Sequence, residues 1–581
     1  MGTEVNTDNS VNENECRMTN DPFAYVNRTS FTSEKFKIEV RGLPKFYGIS
    51  EFRKLLIKLK LKPCKIKPPK RNGKWVYVCF RSEEDRQVAL RMLPGYKWKK
   101  KTLSVQIASA VPDPLVQKRC KNMVQNIKKN NKSFLSNEEL LKMNTVPLWN
   151  IPYENQLEIK VEKIKTILKE LSRELYRVNK GNVKIQNLLN ERCLRYGGIS
   201  CELSNIRKMT FESSINGYRN KCEFSIGMNE ENGLKTIGFR FGSYVQGTTN
   251  VGSVTNLPHV SDMMKNIVQC FENFVRKNEL DVYNPENHIG FWKQLTVRQG
   301  MNTNQTMVVI SVNMDNIQEE VLLKIKSDII DLFVKGEGRI YNITSLYLLT
   351  ADFKTNKKVI QDTLELLHGS STITEKLFGL EFSISPLSFF QTNTAATEVL
   401  YSAVKELTNL NQKTTLLDIC CGIGSIGLCL AKSGAQILGI ESDKAAIENA
   451  HYNCKQNNIS NCAFFHGKAE DILSHVINKA VNNDIIAVLD PPRAGLHQKV
   501  ITQLRRSKVK KMIFLSCNPK AALKNFITFG KPMSKTLFGA QFLPVKAIPV
   551  DNFPHTNHCE LVMYFERVDS CSFANNEVAN N

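Results

Sequence analysis

Apolar residues recur along this chain with several periods, and each change of period marks a new element. FKIEVRGLP alternates apolar and polar positions and closes on a Gly-Leu-Pro turn, which predicts a strand. ISEFRKLLIKLKL spaces its apolar residues as a helix does, KWVYVCF alternates again, EEDRQVALRML returns to the helical period, and TLSVQIA ends the series as a strand. Farther on, LEIKVEKIKTILKELSREL sets Leu157, Val161, Ile164, Leu168, Leu171 and Leu175 on one side of a helix, a face that must be buried against something. Residues 195–380 mix strand-like runs such as CEFSIGM, KQLTVRQG and TMVVISVNM with helices such as VSDMMKNIVQCFENFVRK. The remainder carries short unbroken apolar runs, LLDI, ILGI, IIAVL and MIFL, each followed by a helical segment, as strands buried on both faces require.

These changes divide the chain into a polar tail, 1–34, a front domain, 35–110, a helical connector, 111–180, a central α+β domain, 181–384, an α/β domain, 385–567, and a second polar tail, 568–581. Both tails are expected to be disordered. The front domain, in the order strand, helix, strand, strand, helix, strand, resembles an RNA recognition motif, whose sheet stacks bases on aromatic residues. Aligned on that motif, GKWVYVCF puts Trp75 and Tyr77 at stacking positions, while Gly73 and Lys74 replace the usual opening pair and Glu39 stands where an aromatic normally stacks. The resemblance implies weak, sequence-tolerant RNA binding through Trp75 and Tyr77, helped by the basic stretches KIKPPKRNGK and KWKKK. A scaffold in which these aromatics only pack is the alternative.

A formal charge of +23 over 581 residues attracts polyanions, and RNA, DNA and an anionic membrane all fit it. No stretch reaches the roughly 18 apolar residues that a spanning helix needs. The acidic, Asn-rich start MGTEVNTDNSVNENE lacks the pattern of a targeting leader, and Asn6 breaks the myristoylation pattern that Gly2 would open. Sixteen cysteines, irregularly spaced and without a CxxC pair, read as reduced thiols. The expectation is a protein of cytoplasm or nucleus, a monomer with no membrane association and no metal cluster.

TTLLDICCGIGSIGLCLAKSG joins an apolar strand, a tight turn and a helix, with Gly422, Gly424 and Gly427 spelling G-x-G-x-x-G. Glu441 closes the following strand, ILGIE, where a carboxylate can accept hydrogen bonds from both ribose hydroxyls of a nucleotide-like cofactor. NAD and S-adenosylmethionine both remain open at this point. IIAVLDPPRAG then sets Asp490 at the tip of a third strand, followed by two prolines that stiffen the loop. Strand, GxG, acid and Asp-Pro-Pro is the order of a Rossmann-like S-adenosylmethionine domain. Arg493, standing where amine methyltransferases place an aromatic, argues against methylation of an exocyclic nitrogen.

KMIFLSCNPKAALKNF ends a buried strand at Cys517, and Asn518 and Pro519 are a favourable N-cap and first helical residue. The positive end of that helix is expected to lower the thiol pKa and enrich the thiolate. A thiolate added to carbon 6 of uracil raises the electron density at carbon 5, and a general base must afterwards remove the carbon 5 proton. Glu560, in DNFPHTNHCELVMYFER, is the candidate base. The neighbouring Asp551, His555, His558 and Cys559 could suggest zinc, but their spacing matches no recognised site.

Taken in order, SPLSFFQTN (385–393), LLDICCGIG, GIESD, LDPPRAG, FLSCNP and DNFPHTNHCE resemble the motifs of the RNA uracil-5-methyltransferases, and GYRNKCEF (217–224) resembles a further element of that family. The resemblance implies a Rossmann-like class I methyltransferase domain behind an α+β central domain and an N-terminal domain like an RNA recognition motif. It makes Cys517 the nucleophile and Glu560 the proton acceptor. Gln391, Glu441 and Asp490 would contact S-adenosylmethionine beside Gly422 and Gly424, while Arg219 and Lys221 would hold RNA. Cys420 and Ser425 depart from bacterial relatives, which carry tyrosine and asparagine there. No iron-sulfur cysteine cluster or small β-barrel of the ribosomal-RNA branch is apparent, which favours tRNA over ribosomal RNA, and an RNA-recognition-like domain ahead of such an enzyme resembles the eukaryotic tRNA-modifying members of the family, which implies the T-loop uridine of tRNA as the target. RNA cytosine-5 methylation, or an RNA-binding and tRNA-folding role with secondary methylation, are the alternatives.

Overall fold

The computed structural model describes residues 32–568, apart from 45–46, 69–74, 100, 112–135, 210–213, 243–248, 286–288, 315–316 and 352–362, together with Phe23 and Val26. The expected tails therefore lie almost wholly outside the described residues, as do Gly73, Lys74 and much of the basic stretch around them.

In the front domain Lys37–Arg41, Lys65–Lys67, Trp75–Cys79 and Ser104–Ile107 form one antiparallel sheet, ordered second, third, first, fourth. Strand alternation sends Ile38, Val40, Val76 and Val78 into the core, where they meet Phe52 and Leu56 of helix Ile49–Lys58 and Ala89 of helix Glu83–Met92. Lys37, Glu39, Arg41, Trp75 and Tyr77 are left on the opposite face. The second helix starts where the Ser82 hydroxyl accepts the Asp85 N–H at 3.2 Å.

The central domain is a seven-stranded sheet, antiparallel except where Thr306–Asn313 runs parallel to Ser345–Ala351. Helix Asp262–Lys277 packs Phe271 against Trp292, edge to face at 5.6 Å between ring centres.

The C-terminal sheet has eight strands, in the order Cys462–His466, Gln436–Glu441, Thr414–Ile419, Asp484–Leu489, Val509–Ser516, Glu560–Arg567, Phe542–Val550, Glu202–Leu203. The first five are parallel, and the strand order reverses between Thr414–Ile419 and Asp484–Leu489. In an open α/β sheet that reversal leaves a crevice at the carboxyl ends of the strands. Glu560–Arg567 is antiparallel to both of its neighbours. It is buried on both faces over most of its length, so its apolar run reflects a central position in the sheet.

Two boundaries differ from the sequence reading. The face of helix Tyr153–Val178 that had to be buried packs on the C-terminal domain, and helix Val183–Arg195 joins it there: Ile164, Leu168, Leu171, Leu175, Ile185 and Leu189 share one core with Phe526, Phe529 and Met563. The strand Glu202–Leu203 and the hairpin Ile373–Leu377/Leu380–Ile384 also join that domain, although they fall within 181–384. A helical period shows that one face is buried without saying which surface covers it. No helix among the described residues is long and apolar enough to cross a membrane.

Candidate active site

The crevice is built by the turn after Thr414–Ile419. Cys420 has a φ of 66°, Gly422 of 53° and Gly424 of 80°, all in the left-handed region that favours glycine. No atom lies within 4 Å of where a Cβ on Gly422 would sit, so the turn leaves an open cradle, whereas a Cβ on Gly424 would meet Phe464 at 2.8 Å. Glu441 braces the cradle: one carboxylate oxygen accepts the Gly422 N–H at 3.1 Å, the other the Ser442 and Asp443 N–H groups at 2.6 and 3.0 Å. Asp418 accepts the Gly427 N–H at 2.9 Å, and Ser425 shares a hydrogen bond with the Tyr401 hydroxyl at 2.8 Å. On the next strand tip Gln391 donates to Asp490 at 3.4 Å. Burial pushes Asp490 and Asp418 up to about 7.

Cys517 and Glu560 meet through strand register. Ser516 faces Leu561 across the antiparallel pair, so the next position on each strand brings Cys517 and Glu560 to the same end of the sheet. Asn518 caps helix Pro519–Phe529 as expected, its side-chain oxygen accepting the Ala521 N–H at 3.3 Å. The expected lowering of the Cys517 pKa is not what the structure gives. Burial pushes the thiol up and the Glu560 carboxyl adds to the rise, against a hydrogen bond and positive charge from Arg493 that lower it. A helix terminus contributes only about 0.3–1 kcal/mol at an exposed site, and here desolvation outweighs it. Glu560, 5% exposed, is pushed up to about 8 by burial and by Asp490, with Arg493 opposing. A proton acceptor near the working pH combines availability with driving force.

Arg493 thus touches the electrostatics of both groups, a role its sequence context did not announce; only its place after Asp-Pro-Pro hinted at a function. Asn220 is a second residue missed. Its amide donates to the Gln391 carbonyl at 2.8 Å and to the Thr394 hydroxyl at 2.9 Å, so GYRNKCEF in the central domain holds the loop that carries Gln391. Nothing local in the sequence signals that contact.

The structure brings Gln391, Asp490, Cys517 and Glu560 together, with Gly422, Gly424 and Glu441 at the adjoining strand tips. Arg219 is half-buried, and its positive charge reaches His558 in the loop before Glu560. Lys221 forms an ion pair with Glu223 at 2.7 Å. Trp75 and Tyr77 lie side by side on the front sheet, Arg41 over the first ring at 5.5 Å and Lys37 over the second at 4.9 Å. The Asp551 to Cys559 cluster is occupied by internal contacts, and among the described residues no trio of His, Cys, Asp or Glu is set to hold a metal ion.

A sequence model of the tRNA (uracil-5-)-methyltransferase family matches residues 354–568. The tRNA (uracil-5-)-methyltransferase homolog A of Homo sapiens is 35% identical over 94% of this chain and 85% of its own length. This chain belongs to the tRNA (uracil-5-)-methyltransferase family. Homolog B of Homo sapiens is 36% identical over 72% of the chain and 82% of its own length. Among solved structures, the tRNA (uracil-54, C5)-methyltransferase of Pyrococcus abyssi, in complex with S-adenosyl-L-homocysteine, aligns with a TM-score of 0.50 and 22% identity. That alignment covers 81% of this chain and 91% of the other, and at that identity it speaks for the fold. As a member of the family the protein is an S-adenosylmethionine-dependent methyltransferase, and its crevice suits that cofactor. The turn is open at Gly422, and Glu441 and Asp490 bring to the neighbouring strand tips acidic groups of a kind that can accept hydrogen bonds from such a ligand.

Proposed function

We propose that this enzyme methylates carbon 5 of a uridine in the T-loop of tRNA through a covalent bond between Cys517 and carbon 6. The observation that carries the reading is the shared strand end of Cys517 and Glu560, a nucleophile and a buried carboxyl on neighbouring strands. The target base would be flipped from its loop to reach them. Cys517, as thiolate, adds to carbon 6, and the double-bond electrons pass to carbon 5 and the adjoining carbonyl oxygen. Arg493, beside the sulfur, favours the thiolate. S-adenosylmethionine, when bound, would supply its sulfonium methyl to the electron-rich carbon 5 and leave as S-adenosylhomocysteine. Glu560 then takes the carbon 5 proton, the electrons restore the ring double bond, and the bond to sulfur breaks. Glu441, Asp490 and Gln391, with the turn at Gly422 and Gly424, hold the cofactor.

The front domain is read as an RNA-recognition-like module presenting Trp75 and Tyr77 to tRNA, with Arg219 and Lys221 adding contacts nearer the site. Its sheet order, and the placing of both half-buried aromatics on the sheet face away from the helices, support this. The deciding experiment uses tRNA bearing 5-fluorouridine, which blocks proton removal. Wild type should form a denaturation-resistant adduct and Cys517→Ala none, and nucleoside analysis of unmodified tRNA should show ribothymidine only with wild type. Ribothymidine made by Cys517→Ala would end the proposal.

A further inference from the structure

The segment 551–559, which leads directly into Glu560, is anchored by residues far from it in sequence. Lys160 and Asp551 form an ion pair at 2.6 Å with both side chains wholly out of water. The same ammonium donates to the Phe553 carbonyl at 2.9 Å. One turn earlier on that helix, the Gln156 side-chain Oε1 accepts the His555 backbone N–H at 2.8 Å, while the Leu148 N–H donates to the His555 backbone carbonyl at 2.9 Å. Opposite the helix, Asn216 bonds the His555 ring at 2.8 Å and the Tyr218 hydroxyl donates to the Pro554 carbonyl at 3.2 Å. His555 itself sits at a φ of 64°, a conformation that persists only where its surroundings hold it.

A buried ion pair is poor at stabilising a fold, because stripping water from two charges offsets their attraction, and apolar replacements of similar size often serve as well or better. What it does supply is a fixed geometry. We infer that Lys160, seconded by Gln156, is a positioning residue for the base: by pinning Asp551 and the Phe553 carbonyl it holds the start of strand Glu560–Arg567 so that Glu560 stands opposite Cys517. Lys160 touches neither substrate nor cofactor and acts through Asp551. Helix Tyr153–Val178 thereby helps to place the base without itself entering the chemistry. The inference rests on the covalent mechanism proposed above.

That mechanism gives Glu560 a separate readout. Bond formation at carbon 6 and methyl uptake precede its step, and release of the enzyme follows it. A misplaced base lets methylated RNA accumulate on the protein as a denaturation-resistant adduct. Single-turnover reactions of the full chain with tRNA and labelled methyl donor, quenched in denaturant, separate label on free RNA from label on the protein–RNA adduct. Glu560→Gln should build the adduct and slow release by about a hundredfold or more, as loss of a general base does. Lys160→Met should show the same signature more weakly, with release slowed about tenfold and total methyl uptake within about threefold of wild type, since displacement of a reacting group by an ångström costs about a hundredfold. The double variant Lys160→Met/Asp551→Leu removes both charges, so it should keep the fold while still accumulating adduct. Should the single variant fold too poorly to assay, the double one carries the same expectation. Release at the wild-type rate, or parallel loss of methyl uptake and release without adduct, would overturn the positioning role. If Glu560→Gln itself gathers no adduct while wild type is still trapped by 5-fluorouridine, the role of Glu560 as the base falls and this inference with it; no trapping at all would remove the covalent mechanism instead.

Discussion

Replacing Glu560 by Gln should change how the protein's stability depends on pH. Burial and the neighbouring Asp490 hold the Glu560 pKa at about 8, against an ordinary value of 4.5. Between those two pH values the native chain keeps a proton that the unfolded chain has lost, so stability falls as pH rises. The contribution is fully present below 4.5 and is gone once the pH has passed through about 8. At about 1.4 kcal/mol per pKa unit, the gap from 4.5 to about 8 corresponds to at most about 5 kcal/mol. Asp490 and Asp418, both raised to about 7, push in the same direction, so the quantity to measure is the difference between wild type and Glu560→Gln. Urea unfolding from about pH 5 to about pH 9, with the slope checked for constancy, gives that difference directly. Wild type should lose about 3–5 kcal/mol relative to the variant across the range. Parallel curves would refute the reasoning, because they would mean that this carboxyl ionises as a solvated one does.

Three further outcomes test the site and the front domain. Gly424→Ala should cost about 1–3 kcal/mol of stability, since the new methyl meets Phe464 at 2.8 Å and φ is 80°. Gly422→Ala, at a φ of 53° but in open space, should cost less stability and act mainly on binding of S-adenosylhomocysteine; thermal unfolding and calorimetry separate the two. Because burial and Glu560 raise the Cys517 pKa, alkylation of that thiol by iodoacetamide should be slow at neutral pH and accelerate above the usual thiol range, and Arg493→Ala should slow it further. Mass spectrometry of the Cys517 peptide checks this, and fast alkylation at neutral pH would contradict it. Trp75→Ala and Tyr77→Ala should each weaken tRNA binding by about 1–3 kcal/mol, the worth of a stacked base, in gel-shift titrations at one salt concentration. Unchanged affinity would remove the front sheet from the RNA interface.

Features set by near neighbours were legible in the residues. The strand, glycine turn and helix around Gly422 follow from backbone freedom at glycine. The cap at Asn518-Pro519 follows from a side-chain oxygen and a missing N–H. The alternation of the front strands follows from the two-residue period of a pleated chain. Pairing of Cys517 with Glu560 was reached through ordered motifs and the needs of the chemistry, and strand register supplies its geometry.

Other features belong to the tertiary structure alone. The stripe on Tyr153–Val178 declared a buried face but not that Phe526 and Phe529 would cover it, because hydrophobic attraction has no direction. The Cys517 pKa moved opposite to the local expectation, since it depends on burial and on charges from Glu560 and Arg493, distant in sequence from one another. Lys160 meets Asp551 across most of the chain, and no period or motif encodes such a pair. Short-range sterics and capping are written in consecutive residues, whereas desolvation and charge pairing exist only once the chain has closed on itself.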